Sequence, residues 1–74
     1  MEKINKQVGK QIHVLRQRQG ISQEELADIC GLHRSHLGQI ERGELNVTVV
    51  TVQRIGRGLG VSLNQILGSI GGKA

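Results

Sequence analysis

The sequence has no phenylalanine, tryptophan, tyrosine or proline. Without aromatic side chains, a hydrophobic core has to be built from isoleucine, leucine, valine and alanine. A chain of 74 residues has room for one domain, and a domain of that size buries only about 60–65% of the surface of its unfolded chain. These limits favour a small helical bundle closed by dimerisation. We expect one domain over residues 1–74, with its core at about 4–70.

Cysteine is nearly absent as well. Cys30 is the single one, so no disulfide can form within the chain, and this fits a reducing compartment. No apolar run approaches the roughly 20 residues of a membrane-spanning helix. Residues 1–10 lack the apolar stretch of a signal peptide. We therefore expect a soluble, intracellular protein that does not contact a membrane.

A metal site is suggested only by the C-x2-H-x2-H spacing of Cys30, His33 and His36. Gly31 interrupts the helix between them, and Cys30 falls on the inward face, where a free cysteine behaves as a small buried hydrophobe. The pattern therefore favours no metal and no cofactor. The sequence also has no nucleophile–base pair and no phosphate-binding loop, so we expect no enzymatic activity.

Acidic residues are in the minority. Ten Lys and Arg against six Asp and Glu give a net charge of +4 and an isoelectric point near 10.0. An excess of basic charge is what a nucleic-acid-binding protein needs for contacts with phosphates. Small basic proteins without that role are common, so charge alone does not decide the function.

The first half of the central stretch predicts a short helix at about 22–30. Ser22 is a good N-cap, and Glu25 stands three residues later, which makes a capping box that satisfies two otherwise unpaired amides. Gly31 ends this helix, because glycine suits the left-handed conformation that lets the chain turn sharply.

The second half predicts another helix at about 34–42, which ends at Gly43. Leu37 and Ile40 lie three residues apart and face inward. Two short helices joined by a tight glycine turn are the pattern of a helix-turn-helix, in which the second helix recognises DNA.

These residues resemble the helix-turn-helix family of the phage repressors, Cro and the bacterial xenobiotic-response regulators. The matching positions are Ser22-Gln23, Leu26-Ala27, Gly31-Leu32, Leu37, Ile40-Glu41 and Arg42-Gly43. With its flanks, the likeness covers roughly residues 8–67. Within the family, the run HRSHLGQIERG is most similar to the small controller proteins of restriction–modification systems. The resemblance implies an all-α, compact five-helix domain of the lambda-repressor-like type, in the cytoplasm or nucleoid of a bacterium or encoded by a phage.

Apolar spacing predicts the remaining helices. The first, about 4–19, and the fourth, about 48–59, carry apolar residues at steps of three and four. The positions expected to be buried are Ile4, Val8, Ile12, Leu15, Val49, Val52, Ile55 and Leu59. By propensity alone, residues 47–52 read as a strand, and the helix is preferred for its spacing and for the resemblance. Ser62 and Gln65 form a second capping box that opens a fifth helix.

The helix at 34–42 carries the predicted base-reading residues, which are Arg34, Ser35, His36 and Gln39. An arginine can bond the O6 and N7 of guanine, and a glutamine can pair with adenine. Gly38 would let the backbone approach the major groove. The alternative is a merely solvated polar face.

Other residues are predicted to contact the DNA backbone. Gln23 stands in the first turn of helix two, where free amides attract an anion, and the resemblance implies the same role. Further candidates are Arg42, Asn46 and, on the first helix, Lys10. The resemblance also implies a structural ion pair between Arg16 and Glu41.

Two exposed faces suggest protein partners. The apolar surplus of helix five is a candidate homodimer interface, or else it closes the core over helix one; its residues are Leu63, Ile66, Leu67 and Ile70. Glu24 and Asp28 lie at i and i+4 on helix two. They form either a solvated acidic face or, as in some phage repressors, a contact with RNA polymerase.

The leading interpretation is a sequence-specific regulator of transcription that binds double-stranded DNA as a dimer on a pseudo-palindromic operator. The alternative is an antitoxin, or another protein-interaction module, with secondary DNA binding. Only about seven residues follow Leu67, few for an arm that wraps a toxin.

Overall fold

Five α-helices make up the computed structural model, which describes residues 2–68. Their bounds are α1 Glu2–Arg18, α2 Gln23–Cys30, α3 Arg34–Glu41, α4 Val49–Leu59 and α5 Leu63–Leu67. These residues contain no strand. The predicted all-α, five-helix architecture is confirmed. None of the described helices is long and apolar enough to cross a membrane.

The turn between α2 and α3 follows from local hydrogen bonding. Ser22 Oγ accepts a hydrogen bond from the Glu25 amide at 3.0 Å, and Glu25 Oε1 accepts one from the Ser22 amide at 2.8 Å. Both bonds of the predicted capping box are therefore present. Gly31 ends α2 with φ at +73°, a left-handed conformation that costs a residue with a β-carbon about 1–2 kcal/mol. The sharp turn places α3 against α2.

The core is aliphatic and draws on every helix. The side chains that are almost completely buried are Ile12, Leu26, Leu37, Ile40, Ile55 and Ile66. Burying one such side chain stabilises a fold by about 1.5–3 kcal/mol. Through this core α3 packs against both α1 and α2, and α2 also packs against α4. The position of α3 is thus fixed from two sides.

The fourth helix forms despite its β-branched residues. Thr48 Oγ1 caps it by accepting a hydrogen bond from the Thr51 amide at 3.1 Å, and its buried residues include Val52, Ile55 and Leu59. The expected burial of Val49 was wrong, because 60% of this residue is exposed. Ile4 on α1 is likewise 52% exposed. Both residues lie in the first turn of their helices.

The short fifth helix contributes to the core of the monomer. Ser62 and Gln65 form the second predicted capping box. Ile66 is completely buried, so its place in a dimer interface was wrong: its side chain does not reach the surface. Leu63 and Leu67 are partly buried against the core. Ile70 lies outside the described residues.

Candidate nucleic-acid interface

The outward face of α3 presents polar side chains. Leu37 and Ile40 are buried, which turns the opposite side of the helix to the solvent. Arg34, Ser35 and Gln39 are all exposed on that side. They line one shallow, open depression. Three of the four predicted base-reading residues thus share one surface.

His36 does not share that surface. It is only partly exposed, and it does not line the depression formed by the other three side chains. Because successive residues of a helix are about 100° apart, His36 is turned about 160° from Gly38, which lies at the centre of the face. The structure therefore separates His36 from Arg34, Ser35 and Gln39.

Gly38 was expected to face outward, but it lies beneath other side chains and is buried. A β-carbon at Gly38 would lie 3.2 Å from Arg42 Nη1 and 3.6 Å from Gln23 Oε1. Gln23, the first residue of α2, is therefore placed over the middle of α3. Two helices therefore contribute to one polar surface.

Of the predicted backbone-contact residues, Gln23 and Arg42 line this surface, whereas Asn46 lines a separate depression. Lys10 is exposed on α1 and lines a second depression together with Gln23 and Arg42. Arg42 Nε donates to Glu44 Oε2 at 2.7 Å, and both side chains are exposed. Asn46 accepts a hydrogen bond from the side-chain amide of Asn5.

A buried ion pair holds α3 against α1. Arg16 Nε donates to Glu41 Oε2 at 2.8 Å, and Arg16 Nη2 donates to Glu41 Oε1 at 3.1 Å. Arg16 and Glu41 are 8% and 9% exposed. Arg16 Nη1 also donates to the carbonyl oxygen of Ile21 at 2.9 Å. The guanidinium thus links α1, the segment before α2 and the end of α3, as the expected structural role requires.

Glu41 has two further polar neighbours. Gln23 Nε2 donates to Glu41 Oε1 at 3.1 Å, and His13 Nδ1 lies 2.9 Å from the same oxygen. Burial raises the pKa of Glu41, but hydrogen bonds from Arg16, His13 and Gln23, with the charge of Arg16, outweigh it and hold the pKa below its ordinary value. The carboxylate is therefore ionised near neutral pH.

Sequence reasoning gave His13 no role. The signal available in the sequence was its spacing, since His13 stands three residues before Arg16 and therefore lies on the same face of α1. That spacing becomes informative only when Arg16 is known to face Glu41. The contact itself joins residues 28 positions apart.

Cys30 is a buried thiol. Burial raises its pKa, and the charge of Arg54 opposes that rise. Within residues 2–68, no three His, Cys, Asp or Glu side chains are grouped in a way that would hold a metal ion.

The capped α2, the Gly31 turn and the exposed polar face of α3 together make a helix-turn-helix unit. The chain belongs to the helix-turn-helix family, which matches residues 12–66.

Among its relatives is the control protein C.SmaI of Serratia marcescens, 36% identical over 64 residues that cover 86% of this chain and 76% of the relative. Another is the control protein C.BamHI of Bacillus amyloliquefaciens, 37% identical over 80% of this chain and 74% of the relative. The crystal structure of the restriction–modification controller protein C.AhdI from Aeromonas hydrophila superposes with a TM-score of 0.86. It is 32% identical, over 89% of this chain and 96% of that one. The predicted likeness to this family and to its controller proteins is confirmed.

Proposed function

We propose that this protein regulates transcription by binding double-stranded DNA as a dimer at a pseudo-palindromic operator, and that it controls a restriction–modification system. The observation that carries the proposal is the exposed face of α3, where Arg34, Ser35 and Gln39 surround a backbone covered only by flexible side chains. A short helix with polar residues on its outer face fits the major groove. Similarity to control proteins in both sequence and fold supports the proposed control of a restriction–modification system.

Base recognition falls to α3. Arg34 donates two hydrogen bonds to O6 and N7 of a guanine, and Gln39 pairs with an adenine. Ser35 reaches either a base or a phosphate. His36, on the other side of the helix, acts at most at the margin of this contact.

Backbone contacts surround the base-reading face. Gln23 stands at the start of α2, where the free amides and the helix dipole attract a phosphate. Lys10 adds positive charge from α1. Arg42 and Asn46 follow α3, and Arg42 exchanges its partner Glu44 for a phosphate on binding. Phosphate contacts set the register, and base contacts set the sequence.

Dimerisation through α5 gives the operator its two-fold symmetry. Leu63 and Leu67 are the described apolar residues of α5 that keep exposed surface, and Ile66 supports them from inside the core. One module buries only about 600–1,000 Å² on DNA, so two linked copies reach useful affinity. Half-sites about one helical turn apart match such a dimer.

An exposed acidic pair supports a contact with RNA polymerase. Glu24 and Asp28 lie at i and i+4 on α2, both exposed, and they line an open depression beside Arg34. A polymerase bound next to the operator would meet this face. The protein would then activate as well as repress.

The test is selection of binding sites from random double-stranded DNA at two salt concentrations. A two-fold symmetric site should be enriched, and log affinity should fall linearly with log salt because phosphate contacts release counterions. Enrichment of an asymmetric single site would refute the dimer alone. If no sequence is enriched, base reading by α3 is refuted, and capture of a protein partner then tests the antitoxin alternative.

A further inference from the structure

The start of α1 packs closely on the loop that follows α3. Gly43, in that loop, has φ +74°, and a β-carbon there would lie 2.5 Å from Cγ of Lys6 and 2.7 Å from its Cα. Because part of this obstacle is backbone, no rotation of the lysine side chain would make room for a larger residue. Glycine at position 43 therefore lets Lys6 lie directly against the loop.

A hydrogen bond joins the same two segments. The side chain of Asn5 donates from Nδ2 to Oδ1 of Asn46. An asparagine amide has one acceptor oxygen and an NH2 group with two donor hydrogens. The bond from Asn5 engages the oxygen of Asn46, so Asn46 presents its NH2 group to the surroundings as a donor.

A polar depression lies between the start of α1 and this loop, and its lining includes Lys6, Asn46 and Glu44. Lys6 and Asn46 are both exposed. The carboxylate of Glu44 accepts hydrogen bonds from Arg42 Nε at 2.7 Å and from Arg42 Nη2 at 3.2 Å. Arg42 thus balances the charge of Glu44, and Lys6 with this ion pair carries one net positive charge.

This depression lies beside the candidate nucleic-acid interface. Lys10 and Arg42 line the neighbouring depression, and Glu44, the partner of Arg42, lines the one that contains Lys6. Lys6 and Lys10 stand four residues apart, on one face of α1 and about 6 Å apart along its axis. Two nucleotides of one DNA strand rise by about 7 Å. Two lysines at this spacing can therefore meet different phosphates of the same strand.

We propose that Lys6 and Asn46, with Asn46 oriented by Asn5, form a binding site for a phosphate of the DNA backbone beyond the contact of Lys10. The ammonium group of Lys6 and the NH2 group of Asn46 both donate to the phosphate oxygens. Asn5 is a positioning residue that acts through Asn46. The inference rests on the proposed DNA binding and lengthens the stretch of backbone that each half-site contacts.

Neutralisation of single phosphates tests the site. In the selected operator each phosphate in turn is replaced by an uncharged methylphosphonate, and affinity is measured for the wild type and for Lys6→Met. Methionine retains the Cγ that lies beside Gly43, so the substitution removes the charge and keeps this packing. Arg18→Met is the matched control, because Arg18 is exposed on the same helix, about 18 Å along the axis from Lys6. The melting temperature of each variant is recorded as well.

We expect Lys6→Met to bind the unmodified operator about fivefold more weakly, the size of one ordinary hydrogen bond, and to reduce the salt slope by about 1. One phosphate in each half-site should weaken wild-type binding when it is neutralised, and should have little further effect in Lys6→Met. Arg18→Met should keep the wild-type pattern. If Lys6→Met keeps full sensitivity at every phosphate, Lys6 contacts none of them and the proposal is overturned.

Substitution of Asn5 tests the orientation of Asn46. Asn46→Ala should lower affinity about fivefold and leave the salt slope unchanged, because asparagine carries no charge. Asn5→Ala should lose part of that affinity at the same phosphate, and in the Asn46→Ala background it should cause no further loss. Gln7→Ala, exposed on the same turn of α1, should bind like the wild type. An equal loss from Asn5→Ala with and without Asn46 would contradict the positioning role.

The results separate this phosphate site from the proposed function. If an operator is selected and the wild type and Lys6→Met respond equally to every methylphosphonate, the phosphate site alone fails. If no sequence is enriched but duplex DNA is still bound, the salt slope on random duplex DNA decides. A slope lower by about 1 in Lys6→Met than in Arg18→Met then supports the site, and equal slopes refute it. Absence of any binding to DNA refutes both proposals.

Discussion

The backbone of Gly9 on α1 lies directly against the carbonyl oxygen of Ile40 in the last turn of α3. A β-carbon at Gly9 would overlap that oxygen and would lie 2.6 Å from the carbonyl oxygen of Glu41. Because the obstacle is backbone, no side-chain rotation relieves it. This contact sets how closely α1 approaches the end of the recognition helix, and therefore whether Arg16 can reach Glu41.

Gly9→Ala should therefore destabilise the protein by about 1–3 kcal/mol, the usual cost of overpacking, although alanine is the better helix former by about 1 kcal/mol. Urea unfolding followed by far-ultraviolet circular dichroism measures this. Gly20→Ala is the control: Gly20 has φ +69° and no neighbour near its β-carbon, so it should lose stability without losing operator affinity in the folded protein. A Gly9→Ala variant as stable as the wild type would contradict the close contact.

Gly38→Ala should have opposite effects on stability and on binding. The added β-carbon meets only the ends of Arg42 and Gln23 side chains, which can move, so the helix should gain up to about 1 kcal/mol. Operator affinity should fall, because both displaced side chains are proposed backbone contacts. Gln53→Ala, exposed on α4, should leave affinity unchanged. Tight binding by Gly38→Ala would argue against close approach of this face to DNA.

The helices could be predicted because their signals are local. Capping residues and steps of three and four in the apolar residues depend on neighbours in the sequence. Packing between distant segments has no such signal. From the sequence, Gly58 only lowers the helix propensity of α4. In the structure a β-carbon at Gly58 would lie 2.6 Å from Cys30 Sγ, so α2 and α4 approach each other closely at this glycine.

In the candidate site, too, the features set by local sequence were predictable and the contacts between helices were not. Helical spacing was enough to place Ser35 and Gln39 on one outward face, with Arg34 at its flank. It did not predict that Gln23 covers Gly38, or that His13 reaches Glu41, because these contacts join different helices. The apolar residues of a helix also do not show which of them the other helices of the same chain cover. For that reason Ile66 was assigned to a dimer interface.

Acid should weaken the fold through Glu41. Its folded-state pKa is lowered, so its contribution to stability is complete above the pKa of the unfolded chain, about 4.3, and is lost as pH falls through the lower folded value. Glu41→Gln should cost about 3–5 kcal/mol near neutral pH, since it leaves Arg16 buried without its partner. It should also remove this part of the acid sensitivity. Urea unfolding between about pH 7 and about pH 3 measures both effects.

Glu44→Gln is the matched control, because Glu44 pairs with Arg42 on the surface, where solvent screens the pair. It should change stability little. The double variant Arg16→Met with Glu41→Leu removes both charges. If it loses more stability than Glu41→Gln alone, the loss in Glu41→Gln does not come from an unpaired buried charge.

Substitution of Arg34 and substitution of Lys10 should affect DNA binding in different ways. Arg34→Ala should relax the preference at one base position in each half-site and cost about 1–3 kcal/mol on the best operator. Lys10→Ala should weaken binding equally on all sequences and reduce the salt slope by about 1. Selection and salt titration of both variants test this. An unchanged site preference in Arg34→Ala would remove Arg34 from base reading.

Reversing the acidic face of α2 should separate activation from binding. Glu24→Lys combined with Asp28→Lys should abolish transcription activation while operator affinity stays the same or rises slightly, because the change adds positive charge. A reporter gene and a binding titration measure the two quantities. Loss of both together would refute a contact with RNA polymerase.

Because Cys30 is buried, the rate at which its thiol reacts reports how often the helix-turn-helix opens. The thiolate is the reactive form, and in the folded protein burial disfavours it and α4 covers it. A thiol reagent can therefore modify Cys30 only after α2 has separated from α4. The protein has no tryptophan or tyrosine to report its own unfolding. The rate at which Cys30 is labelled gives the frequency of that opening. The decrease of this rate when operator DNA is bound gives the free energy by which DNA stabilises the closed helix-turn-helix.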